Sequence, residues 1–135
     1  MKKSSLFFFF SFCLLLTACG KPKAGDIDSR VYNLETDFKE NYQLWTDMKA
    51  DGAIQQKEYA LDLKKVGNKF KSIGATARGS AVKKLLSEDD QKIYTTYEEL
   101  GKQIYDVGYA LYYGKKEEAK KLYDEIQQKE EQLKE

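Results

Sequence analysis

The stretch SEDDQKIYTTYEELGKQIYDVGYALYYG, Ser87 to Gly114, decides the fold. Within it Ile93, Tyr97, Leu100, Ile104, Val107 and Leu111 recur in steps of four and three. That spacing lines side chains along one stripe of a helix, whereas a strand would alternate them between two faces. Ser87 has the hydroxyl of an N-cap, and Glu88, Asp89 and Asp90 behind it suit the positive end of the helix dipole. Gly114 supplies the residue type on which helices commonly end in a left-handed turn. A helix is expected between these signals, with a break in the chain near residue 87.

The same period continues outward in both directions. Upstream, Ile27, Val31, Leu34, Phe38, Asn41, Trp45 and Met48 step by four and three as the seam of a packed helix, which Asp26 or Asp28 can cap and Asp51-Gly52 ends. Asn41 is the polar member of that seam. It is either a buried residue that fixes register or a solvated edge position. Tyr59, Leu63, Val66, Phe70, Ile73 and Ala77 form a second series, and Ala119, Leu122, Ile126 and Leu133 a fourth. No proline interrupts the chain after Pro22. The fold expected over residues 26–135 is therefore all-α, an antiparallel up-and-down bundle of about four helices.

Glycines refine the picture. Gly67 and Gly74 lie one heptad apart in the second series, as do Gly101 and Gly108 in the third. Folding the two series about Ser87 sets Gly74 opposite Gly101 and Gly67 opposite Gly108, which would let the helices approach closely. Each interior glycine costs up to about 1 kcal/mol relative to alanine, so four at matched spacing suggest a packing purpose. The small residues from Gly74 to Ser80 signal a kink or a break. The charged end, Lys129 to Glu135, has little to bury and is expected to fray.

The beginning of the chain reads differently. Lys2 and Lys3 precede an apolar run from Leu6 to Leu16, which gives way to Thr17-Ala18-Cys19-Gly20, the layout of a signal peptide. The run is short of the roughly 20 residues that a membrane-spanning helix needs. Leu16-Thr17-Ala18-Cys19 resembles the lipobox of bacterial lipoproteins. That resemblance implies that residues 1–18 are removed, that the Cys19 sulfur carries a diacylglyceryl group, and that residues 19–25 link a lipid anchor to the domain. Two buried acyl chains, at about 0.8 kcal/mol per CH₂, make a stable anchor. The expected location is the extracytoplasmic face of the cell membrane.

Composition narrows the function. With Lys2 and Lys3 gone, 21 basic residues face 22 acidic ones, without the basic excess of a nucleic-acid binder. Cys13 leaves with the leader, so the domain must stand without a disulfide. The chain has no histidine, which removes Ser-His-Asp and Cys-His catalysis and histidine zinc sites. No enzymatic activity is expected.

Two features remain as candidate sites. Asp47 to Glu58 resembles an EF-hand calcium loop, and the resemblance makes Asp47, Asp51, Gln55 and Glu58 side-chain ligands around a turn at Gly52. Lys49 stands where the family places an oxygen ligand, and a helical hairpin turned by Asp51-Gly52 explains the same residues. Ten tyrosines survive in residues 19–135, and Tyr105, Tyr109 and Tyr112 fall on one side of the third helix, away from its aliphatic seam, with Tyr94 and Tyr113 near them. Such a stripe is either an interaction surface, since tyrosine buries area at small entropic cost, or a face buried by neighbouring helices. The outline is similar to that of small lipoproteins of Gram-positive bacteria. It implies a tethered, non-enzymatic binding module for a protein, a cell-wall component or an incoming macromolecule.

Overall fold

The protein is described here over residues 28–134 by a computed structural model. Four long helices, α1 (Ser29–Ala50), α2 (Ala60–Arg78), α4 (Glu88–Tyr112) and α5 (Lys116–Gln132), pack as an all-α bundle, with a single short turn of helix, α3 (Ser80–Lys83), between α2 and α4. The chain runs up and down, so that α1 adjoins α2, α2 adjoins α4 and α4 adjoins α5. Trp45 and Tyr123 close the ring from α1 to α5, their ring centroids 6.3 Å apart.

Each boundary has a local cause. Asp28 caps α1, accepting from the Arg30 amide at 2.9 Å and from the Arg30 guanidinium, whose hydrogen bond holds the carboxyl down at about 2. Gly52, at φ 71°, turns the chain out of α1 into two short 3-10 segments, Ala53–Gln55 and Lys57–Tyr59, and Ala53 and Ile54 plug that end of the core. Ser87 caps α4 by accepting from the Asp90 amide at 3.1 Å. At the other end of α4, Gly114 at φ 74° forms a Schellman turn. Its amide donates to Leu111 O at 3.1 Å while Lys115 N donates to Ala110 O at 2.8 Å.

The expected seams are the core. All of the third series is buried, as is the second apart from half-buried Tyr59, and Leu34, Phe38, Trp45 and Met48 of the first lie inside. Ile27 falls outside the described residues. Asn41 is buried, and its Nδ2 donates to the Val66 carbonyl at 3.0 Å, which ties α1 to α2 at a single register. Around Phe38 the rings of Phe70, Tyr94 and Tyr97 stand 5.2 to 5.7 Å away, an aromatic layer that spaces α1 from α2 and α4.

Between α2 and α4 the contact is different in kind. A Cβ added at Gly67 would lie 2.5 Å from both Gly101 O and Tyr105 N, and one at Gly108 would lie 2.6 Å from Ala60 O. The backbones touch. The expected pairing is corrected, however: Gly67 faces Gly101 rather than Gly108, and Gly74 faces Tyr94 and Glu98. The cause is the connection, because α2 continues unbroken through Gly74 and ends only at Gly79, whose extended backbone starts α3. That extra turn moves the midpoint of the hairpin upstream of Ser87 and slides the register by a heptad.

The fraying expected after Lys129 is also corrected. The last helix runs on through Gln132, because Glu130 points inward instead of into solvent.

Candidate interaction face

The close seam between α2 and α4 determines what stands beside it. On α2 the residues one step outside Ala60, Gly67 and Gly74 are Lys64, Lys71 and Arg78; on α4 those outside Gly101 and Gly108 are Glu98, Tyr105 and Tyr112. With the backbones in contact these flanking side chains meet. The Lys64 ammonium lies 5.2 Å from the Tyr105 ring centroid and 6.0 Å from that of Tyr112, and Lys71 lies 5.7 Å from Tyr105. Arg78 pairs with Glu98 through two contacts of 3.1 Å. Each ammonium over a phenol ring contributes about 0.5 to 1 kcal/mol at such a site and holds a flexible side chain in place.

The tyrosine stripe is split in depth. Tyr105 is half-buried under the two lysines, whereas Tyr109 and Tyr112 are 46% and 47% exposed and Tyr113 is 59% exposed. The three exposed rings lean on one another, with Tyr113 centred 4.7 Å from Tyr109 and 5.1 Å from Tyr112. Leu61, next to the Ala60 that faces Gly108, adds an exposed aliphatic side chain at the same end of the hairpin. Tyr94 is corrected: it belongs to the core, its ring edge-on to Phe38 at 5.2 Å.

The four residues of the EF-hand resemblance are not brought together. Asp47 sits in the last turn of α1, its carboxylate accepting from Gln43 Nε2 at 2.9 Å, while Asp51, Gln55 and Glu58 are exposed around the 3-10 turns. Among the described residues no three His, Cys, Asp or Glu side chains form a group able to hold a metal ion. Lys49, the residue at odds with that resemblance, turns instead toward Glu130 at 3.2 Å.

Sequence reasoning missed the most densely bonded acid. Glu130 accepts from Tyr97 OH at 2.9 Å, Trp45 Nε1 at 3.3 Å and Lys49 Nζ, joining α1, α4 and α5 inside the bundle. Burial and the adjacent Glu130 carboxylate push the Tyr97 phenol well above its ordinary value, which keeps it a neutral donor. Glu130 lies four residues after Ile126, on the buried side of α5, a spacing that gives its face but not the donors that draw it inward.

A second buried acid, Asp90, reaches back to Ser87 at the start of α4. Burial, with smaller contributions from Glu35 and Asp89, raises its carboxyl, and the Ser87 hydrogen bond opposes them.

Cys19 lies outside the described residues. No described helix is long and apolar enough to cross a membrane. No protein family matches the chain, and neither curated proteins nor solved structures provide a match.

Proposed function

We propose that this chain is a lipid-anchored, non-enzymatic binding module held at the extracytoplasmic face of the cell membrane by Cys19, with the outer face of the α2/α4 hairpin as its contact surface. The observation that carries the contact surface is the cluster of half-exposed rings at Tyr109, Tyr112 and Tyr113 beside two lysines held over Tyr105. Solvated rings on a rigid helix pair are already ordered for contact, so association loses little side-chain entropy. The lipobox resemblance at Leu16 to Cys19 supports the anchor, and the lack of histidine in the chain supports a binding rather than a hydrolytic role. By helical rise α1 is about 33 Å long, and the tyrosine cluster lies at the end where α1 finishes, far from where it begins. A chain tethered through residues before Ser29 would thus present the cluster at the end remote from its tether.

The anchor is tested by growing cells that express the chain with an alkyne-labelled fatty acid. The parent protein should take up label and fractionate with membranes, and Cys19→Ser should lose both. Label and membrane association that survive Cys19→Ser would overturn the anchoring.

A further inference from the structure

We propose that the outer face of the α2/α4 hairpin binds an acidic polysaccharide, with Lys64 and Lys71 holding its anionic groups and the exposed Tyr109 and Tyr112 rings lying against its sugars. This rests on the binding-module reading and names the class of partner.

The charge comes first. The outer flank of α2 carries Leu61, Lys64, Asn68, Lys71, Ala75 and Arg78, a helix side with no acid in it. Glu98 neutralises Arg78 at one end. Lys64 and Lys71 have no carboxylate partner among the described residues; both are instead held over the Tyr105 ring. Seven residues of helix separate them by about 10.5 Å. Because the domain as a whole is nearly neutral, this positive strip is a local feature, and its complement is an anionic chain that runs along it.

The shape of this face distinguishes a glycan from a polypeptide. A protein partner gains most of its affinity by inserting a few side chains into well-packed, desolvated pockets. Here the floor is backbone in contact with backbone: even a methyl group at Gly67 or Gly101 would come within 2.6 Å of a facing carbonyl oxygen. The seam has no room for an inserted anchor. What it presents is a shallow surface of flat rings and fixed ammonium groups, which suits the C–H faces and spaced charges of a sugar chain.

The test uses the intact lipidated chain reconstituted in phosphatidylcholine vesicles, with fluorescently labelled polymers assayed by co-flotation. Polygalacturonate and poly-glutamate carry the same carboxylate on a sugar and on a peptide backbone, and dextran is a sugar chain without charge. Polygalacturonate should float with the vesicles, and the other two should stay behind. The double variant Lys64→Gln/Lys71→Gln should weaken retention by at least about tenfold, a loss of about 1.4 kcal/mol or more. The same charge removal on α5, Lys120→Gln/Lys121→Gln, should leave it unchanged. Equal retention of poly-glutamate or of dextran, or equal loss in both double variants, would overturn the inference. Failure of the chain to join the vesicles would refute the anchor before any polymer is added. A chain that joins them and ignores polygalacturonate refutes only the class of partner.

Discussion

Gly67→Ala isolates the contact on which the hairpin depends. The new Cβ would lie 2.5 Å from Gly101 O and from Tyr105 N, and 3.0 Å from Tyr105 Cα, all backbone atoms of a 25-residue helix that cannot rotate aside. Restoring ordinary contact moves α4 away by roughly 1 Å, and a gap of that size forfeits about a quarter to a half of each dispersion well along the seam. Overpacking of this kind costs about 1 to 3 kcal/mol, with the upper end expected where only backbone can yield. Alanine returns up to about 1 kcal/mol of helix propensity, which leaves a net loss of about 2 kcal/mol. Urea unfolding followed by far-ultraviolet circular dichroism and by the fluorescence of fully buried Trp45 measures it directly. The midpoint should fall at unchanged slope, and the melting temperature should drop by roughly 10 °C. Gly114→Ala is the informative contrast, since nothing stands within 4 Å of its Cβ and only the left-handed φ of 74° opposes it; about 1 to 2 kcal/mol is expected there, from strain alone. A Gly67→Ala protein as stable as the parent, or more so, would refute the reasoning, because it would mean that helix propensity outweighs the seam.

Three further predictions test the interior and the turn. Glu130→Ala removes the acceptor shared by Tyr97 OH, Trp45 Nε1 and Lys49 and should cost about 3 kcal/mol in urea unfolding; a loss under about 0.5 kcal/mol would show the hub to be incidental. Because the fold raises the Asp90 carboxyl, the folded state binds that proton more tightly than the unfolded chain does. The penalty on ionised Asp90 is therefore present at neutral pH and relieved as pH falls through the raised value toward the ordinary 3.8. The stability advantage of Asp90→Asn over the parent should accordingly shrink between pH 7 and pH 4, and a gap that is constant or widens on acidification contradicts the assignment. Calcium at about 10 mM, roughly ten times the weakest Kd of an extracellular-type calcium site, should leave the melting temperature unchanged, since Asp47, Asp51 and Glu58 do not converge; a rise of several degrees would reinstate the loop as a site.

The helices were legible in the sequence because their signals agree. In α4 the cap at Ser87, the acids behind it, the apolar stripe and the closing glycine all specify the same element, and the structure places each at its expected position. Register was less legible. Four glycines at heptad spacing announce a close approach, but which pairs meet depends on the length of the connection, and α3 adds a turn there that the stripe pattern does not encode. Glu130 was hidden for another reason. A run of charge normally reads as solvated, and the inward turn of one carboxylate depends on donors from two other helices, which no local pattern reveals.

The face beside the seam follows from the same arithmetic that made the seam. Ala60, Gly67 and Gly74 against Gly101 and Gly108 bring two backbones together, and the residues one step outward, in the same heptad phase, are forced into contact. That is why Lys64 and Lys71 find Tyr105 while Arg78 finds Glu98. Larger seam residues would part the helices, let these side chains separate into solvent and release the lysines to ordinary flexibility. The glycines therefore give up helix propensity for two effects at once: a rigid hairpin, and a row of cations held over rings on its outside. A variant such as Gly67→Ala should consequently weaken polygalacturonate retention even under conditions where the bundle stays folded, because it moves both lysines away from Tyr105 without touching either charge. Retention that is unchanged in the folded Gly67→Ala protein would mean that the lysines act as free charges and that the seam has no part in building the face.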